Sequence, residues 1–490
     1  MPILTLLLLI PIIGAGSILF MTGEHRNNVR IVAIATSALT FIVALSLLSG
    51  FDSASSAFQF EESVVWNARM GTAYAIGLDG FSYPMVLLAT LLSLAAILAS
   101  GSITESYRGY YALVLILESA MLGVFMARDW LLFYVFCEMT IIPLFFLIDR
   151  WGGKRRSMAA LNFVLYTMGG SVFLLVSMLV LYDAMPDPSF SMAAMSVAAQ
   201  SLDPDTQLLL FLGFLIGFGV KMPIFPIHGW LPLAHVEAPS PISILLSGIL
   251  LKMGAYGLIR AAGMLPAAVV ELQGVLGALA LFSLFYGGLL AWRQSDLKAM
   301  IAYSSVGHMG IVLFGIASLN MAGLNGAMMQ MVAHGLVAGA TFMLIGLLYQ
   351  RTHTRNVNDY SSLIRVAPRF ALLTSLALLG AIGLPGSAIF ISKLLTIIGG
   401  YEQWGGWVAV LVGSSVLISG AYVIRTIGIL FTGPSRPEMA KITDLQPAEL
   451  VAAGGLVLGM IILGLFPQLL LDLMSESVGH MLSIYEGVAL

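Results

Sequence analysis

The chain has 490 residues, of which 59% are hydrophobic and only 10% charged, and its formal net charge is −3. Ordinary globular chains carry about 25% charged residues, so this composition excludes a soluble domain and offers no basic surface to nucleic acid. It points to an all-α polytopic membrane protein in contact with the lipid bilayer. The one cysteine, Cys137, lies in an apolar run, which excludes a disulfide framework or a thiolate metal site within the chain.

The first residues, MPILTLLLLIPIIGAGSILF, have no basic n-region and run straight into apolar sequence, so a retained first span is expected rather than a cleaved signal peptide. A bilayer core needs about 20 apolar residues per helix. Such runs predict fourteen spans, near 3–21, 29–49, 78–100, 109–127, 129–149, 159–183, 206–227, 239–262, 266–290, 297–317, 322–349, 370–400, 405–432 and 449–474. No strand-like alternation is read between them, and the longest polar connections are 50–77 and 184–205.

Fourteen spans put both termini on one side. The connections on the other side then hold 15 Lys and Arg residues, among them Arg26, Arg150, Arg155, Arg293, Arg351 and Lys441, against 3 on the terminal side: Arg69, Arg128 and Arg260. Basic loops stay cytoplasmic, so both termini are expected to be periplasmic, in a bacterial inner membrane or, alternatively, a mitochondrial or other organellar energy-converting membrane.

Ionisable residues inside spans are costly and mark function by default. In chain order the first are Glu118, in LVLILESAML, and Glu138, in LFYVFCEMTIIPLFFL, five residues before Pro143. Each has an alternative reading as a structural carboxylate that pairs neighbouring helices. The stretch Gly213–Gly257 holds Lys221 and Lys252 around a segment broken by Pro223, Pro226, Pro232, Pro239 and Pro241. Proline frees carbonyls that lipid cannot satisfy, so a lysine beside one points to a polar pocket inside protein. A lysine there is held between desolvation and neighbouring charge, which suits proton exchange. The alternative is a lysine snorkelling to the interface, which fits Lys221 better than Lys252. His308 and His334 follow as single histidines in successive spans, candidates for a relay or for plain core hydrogen bonding. Lys393, in AIGLPGSAIFISKLL, again accompanies a broken helix, with Gly383, Pro385 and Gly386.

Breaks in the seventh and twelfth spans, five apart, predict two five-helix repeats, which an odd span count makes inverted. The expected division is helices one to three (1–108), a first repeat (109–262), a second repeat (263–432) and a last helix with its tail (433–490). No HExxH, CxxC, GxSxG or phosphate-loop motif is present, so no cofactor is expected in this chain.

The segment VKMPIFPIHGWLPLAHVEAPSPISILLSGILLKMGAYGLIR resembles the central signature of the antiporter-like membrane subunits of respiratory complex I. LLFYVFCEMTIIPLFFLIDRWGG is similar to the subunit M (chain 4) type more than to the L and N types, and AYSSVGHMGIVLFGI and GLPGSAIFISKLL fit the same family. The resemblance covers nearly the whole chain. It implies a fourteen-helix fold with two inverted repeats and proton pumping driven by NADH–quinone electron transfer. Flavin, iron–sulfur clusters and quinone would then sit in partner subunits, with L-type and N-type chains as neighbours. By motif position it implies that Glu138, Lys221, Lys252, His308 and His334 form the translocation axis. Lys393 departs from the pattern, since subunit M usually has glutamate there whereas subunit L and one Mrp antiporter subunit have lysine. An Mrp-type sodium/proton antiporter subunit and a membrane subunit of an energy-converting hydrogenase are the alternatives.

Overall fold

In lipid an apolar segment can satisfy its backbone only within itself, so long apolar runs become helices. The computed structural model describes residues 2–21, 25–434 and 436–487, leaving Met1 and the last three residues of the expected tail outside it. The side chain of Lys441, one of the basic-loop residues, also lies outside the description.

Among the described residues, thirteen helices are long and apolar enough to cross a membrane. The fourth is Tyr107–Met126, the fifth Trp130–Trp151, the seventh Pro204–Lys221, the eighth Ser240–Met264, the tenth Leu297–Ala317 and the eleventh Met321–Thr352. The remaining pass is split into Pro368–Ile382 and Ala388–Trp404. It occupies the place of the expected twelfth span, so the fourteen expected passes are present. The eighth and eleventh spans are buried along their whole apolar window, whereas only 28% of the second span's window is buried. The molecule is therefore built around the eighth and eleventh spans, and lipid-facing helices surround them.

Three expectations need correction. The polar connection 50–77 contains strands, β1 (Gln59–Asn67) and β2 (Thr72–Leu78), paired antiparallel. Most β1 side chains past Glu62 are exposed, so the strand carries little of the apolar alternation that marks a half-buried one. The last span ends at Leu465, not near 474, because the chain turns at Phe466–Pro467 into a separate helix, Gln468–Glu486. That helix packs against the eleventh span and accepts the Gly80 N–H on Ser477 Oγ at 3.0 Å, so it lies across one face of the bundle. The seventh helix stops at Lys221, and residues 222–229 form a non-helical connection to the short helix Trp230–Glu237.

Candidate functional site: a file of buried charges

The fifth span bends where Pro143 lacks the N–H that would bond the Met139 carbonyl, so it forms two helical pieces, Trp130–Met139 and Ile141–Trp151. Glu138 sits in the last turn of the first piece. Its Oε1 accepts the Ser171 hydroxyl at 2.6 Å and faces Lys221 Nζ at 3.3 Å. Lys221 is 2% exposed and Glu138 26%, so the lysine is the desolvated partner and depends on this carboxylate. The prolines end the helix under Lys221, but they free fewer carbonyls than expected. The Gly219 carbonyl is taken by the Ile224 N–H at 3.0 Å, and the Trp230 indole donates to the Val220 carbonyl at 2.8 Å.

Lys252 lies just past a π-helical turn, Leu246–Leu250, within the eighth span. A π turn disturbs the carbonyl ladder and recurs at functional sites. Here the Ser247 carbonyl accepts Lys252 Nζ at 2.6 Å, and Nζ also lies 2.7 Å from His334 Nδ1. An ammonium has only donors, so with Lys252 charged His334 Nδ1 accepts and Nε2 carries the ring proton. That nitrogen faces Ser305 Oγ at 3.1 Å, and Ser305 Oγ meets Ser247 Oγ at 3.1 Å.

The file continues towards the twelfth span. The His308 and His334 rings lie 4.9 Å apart, and a cavity of about 20 Å³, room for a single water, touches both. His308 Nδ1 is 2.9 Å from Gln330 Nε2, and Gln330 Oε1 accepts the Ser392 hydroxyl. The next residue is Lys393, whose Nζ donates to the Ile382 carbonyl at 2.8 Å. That carbonyl belongs to the last residue of Pro368–Ile382, where the helix has no further turn to accept it.

The candidates thus fall into two joined groups and one outlier. Glu138 and Lys221 form a pair. Lys252, His334 and His308 form a file that Gln330 carries to Ser392 across the eighth, tenth, eleventh and twelfth spans, and Lys393 stands next to Ser392 in the chain. Among the described residues no hydrogen bond links Lys221 to Lys252. Glu118 is fully buried and its Oε1 accepts the Ser37 hydroxyl at 3.1 Å, while Oε2 has no partner. It ties the fourth span to the second, and no hydrogen bond among the described residues joins it to the others.

Residues 127–419, which hold every one of these candidates except Glu118, match the family described as NADH:quinone oxidoreductase/Mrp antiporter, transmembrane. The chain belongs to that family. Within this antiporter family it is 38% identical over 472 residues to NADH-quinone oxidoreductase subunit M of Rhodobacter capsulatus, covering 94% of this chain and 92% of that one. It is 39% identical over 478 residues to NAD(P)H-quinone oxidoreductase chain 4 2 of Thermosynechococcus vestitus, covering 95% and 89%. A chain in the structure of respiratory complex I from Thermus thermophilus superposes with a TM-score of 0.90 at 30% identity, covering 99% of this chain and 100% of that one. A chain of the Mrp complex from Dietzia sp. shares the fold, with a TM-score of 0.85 at 19% identity and 99% coverage of both. The resemblance to the subunit M (chain 4) type is therefore met across the chain.

Within this family member, the sequence reading missed Ser171, Ser305, Gln330 and Ser392, which join the charges. Their spacing held a signal. Gln330 stands four residues before His334 and Ser305 three before His308, which puts each pair on one helix face.

Proposed function

We propose that this chain is a proton-translocating membrane subunit of an NADH:quinone oxidoreductase, and that the file from Lys252 to Lys393 is its lateral route. The observation that carries this reading is continuity. Lys252, His334, His308, Gln330 and Ser392 contact one another in turn, and Lys393 follows Ser392 in the chain. Buried groups of this kind change protonation when a neighbouring charge moves. Glu138 would set the charge state of Lys221 by pairing with it and releasing it. Displaced protons would pass by water to Lys252 and along the file to Lys393. Glu118 stands outside the route.

On this reading the two repeats, 109–262 and 263–432, are inverted copies flanked by helices one to three and by the last helix and tail. The basic loops face the cytoplasm of a bacterial inner membrane and both termini face the periplasm. L-type and N-type chains are the neighbours. Flavin, iron–sulfur clusters and quinone belong to other subunits, which carry the redox step.

Inverted membrane vesicles test the reading through NADH-driven acidification and NADH:quinone turnover in parallel. Glu138→Ala and Lys221→Ala should abolish the pH gradient while the complex stays assembled, and normal acidification in either variant overturns it. Lys393, shared by resemblance with L-type and one Mrp subunit, supports a second reading as a sodium/proton antiporter subunit. That reading requires the same vesicles to exchange Na⁺ for protons with NADH absent.

A further inference from the structure

On the face opposite the basic loops a cavity of about 870 Å³ opens between the β1–β2 hairpin, the helix Met192–Gln200, the end of the eighth span and the C-terminal helix. Its lining is amphipathic. Arg260 pairs with Asp79 at 2.7 Å, Arg128 pairs with Glu61 at 2.6 Å, and Met481 and Phe58 supply apolar wall. Three buried N–H donors on lining residues, Trp130 Nε1, Arg128 Nε and Arg260 Nε, have no acceptor from the protein. Trp130 is only 1% exposed. These three atoms are closed off from the cavity; what wets its wall is the Arg128–Glu61 pair, whose side chains are 24% and 49% exposed.

Below the cavity floor the wall becomes aromatic. Trp130 packs on Phe133 (ring centroids 5.4 Å apart), Phe214 (5.5 Å) and Phe218 (6.4 Å). Phe133 packs on Phe218 (5.8 Å) and Tyr256 (6.3 Å), and Tyr256 on Phe125 (5.4 Å). The Tyr256 hydroxyl donates to the Phe125 carbonyl and accepts from Arg260, which ties the ring layer to the Arg260–Asp79 pair. Gly257 gives Phe218 its slot, because a Cβ there would lie 2.3 Å from the ring.

The ring layer sits on the helices that carry the ion pair. Phe133 lies five residues before Glu138, and Phe218 three before Lys221. At 1.5 Å per residue the layer is about 5–8 Å from the pair along either helix axis, and Trp130 at the cavity floor is about 12 Å from Glu138. One layer of rings therefore separates the cavity from the pair along these helices.

We propose that this cavity is an aqueous port serving the Glu138–Lys221 pair from the face opposite the basic loops, and that the rings of Trp130, Phe133, Phe218 and Tyr256 are the gate that closes it. The port rests on the proton-translocating reading given above. With the rings packed, the pair is sealed from that face. A rotation of Phe133 or Phe218 joins the pair to the cavity water without moving a backbone.

Cys137, fully buried one turn past Phe133 and beside Lys221, is a built-in reporter on the far side of the gate. In intact complex in vesicles exposing the hairpin face, a membrane-impermeant methanethiosulfonate is applied and its adduct on this chain is measured by mass. Ala193→Cys, on the cavity wall, should react at least about an order of magnitude faster than Cys137. Phe133→Ala and the milder Phe218→Leu should raise the Cys137 rate by a similar factor and shorten the lifetime of an imposed pH gradient with turnover stopped. The port is overturned if Ala193→Cys reacts no faster than Cys137, and the gate is overturned if both ring variants leave Cys137 at its original rate. Labelling does not depend on pumping. Normal acidification in Lys221→Ala would therefore remove the proton-translocating reading while the accessibility result stood or fell separately.

Discussion

The seventh and twelfth spans are both broken beside a lysine, yet they hold that lysine differently. In the seventh, the break is a proline-rich connection and Lys221 ends the first arm, where its partner is the Glu138 carboxylate on another span. In the twelfth, Gly383 and Gly386 take positive φ (92° and 93°), and Lys393 sits in the second arm bonded to the Ile382 carbonyl across its own break. A carboxylate can lose its charge or turn away, whereas a backbone carbonyl does neither. The first lysine is thus held by something that can switch and the second by something fixed. This asymmetry supports switching at the seventh span and exchange at the twelfth.

The largest effect is expected at Lys221. Lys221→Met should lower proton pumping by about tenfold or more, equivalent to ~1.4 kcal/mol on the limiting barrier. Lys393→Met should cost less pumping, because no charge pair is lost. Equal losses in the two variants, read as initial acidification rate per NADH oxidised, would remove the asymmetry. Next in size is Gln330→Leu, which leaves His308 Nδ1 without its partner, while the Ser392 hydroxyl keeps the Ile389 carbonyl at 2.9 Å. An orphaned buried group costs about 1–3 kcal/mol, so the melting temperature should fall and pumping should slow with assembly intact.

Smaller effects are expected at the breaks. Gly383→Ala places a Cβ at φ 92° and should destabilise by roughly 1–2 kcal/mol. The Cβ would come within 3.4 Å of the Lys393 chain, so the readout is Tm together with pumping. A proline substitution cannot make the corresponding test at the seventh break, since Pro223 and Pro226 are already there.

The smallest effect concerns the start of the twelfth span, outside the membrane. Asp444 accepts the Arg369 and Phe370 N–H groups at 3.0 and 2.9 Å and so caps the first arm from another loop. Burial works to raise its carboxyl, but the Arg369, Phe370 and Leu445 N–H groups and the Arg369 charge outweigh it and hold it below the usual carboxylate range. A carboxylate lowered by folding stabilises at pH above its unfolded value of about 3.9 and loses that contribution as pH falls through the folded value. Protection of the Arg369 and Phe370 amides from hydrogen exchange, taken relative to the intrinsic rate at each pH, should therefore fall below about pH 4 in the wild type. In Asp444→Ala that protection should be low at every pH, with about 0.5–2 kcal/mol lost at neutral pH as for other caps.

The passes were legible because lipid leaves an apolar run one option, and the buried charges were legible because each stands alone among apolar letters. Partners were not. Nothing in the spacing of Glu138 and Lys221 tells that Lys221 turns to a carboxylate while Lys393 turns to a carbonyl, since that depends on where each helix stops. Glu118 read like Glu138 in sequence, yet it pairs with Ser37 in the second span, because packing decides which neighbour a helix face meets. The hairpin was missed for the opposite reason. Its outer strand faces away from the core, so burial imposed no alternation on β1. The final helix was missed because its first residues continue an apolar run across Pro467.

The π turn at Leu246–Leu250 takes up one residue more than an α turn holds and leaves the helix beyond it facing the same way. Deleting one residue from this turn would close it to α and return the Ser247 carbonyl to the helical ladder. Lys252 would still face His334 but would lose its carbonyl acceptor. An extra residue in the backbone, with no chemistry of its own, thus supplies the acceptor that holds the central lysine.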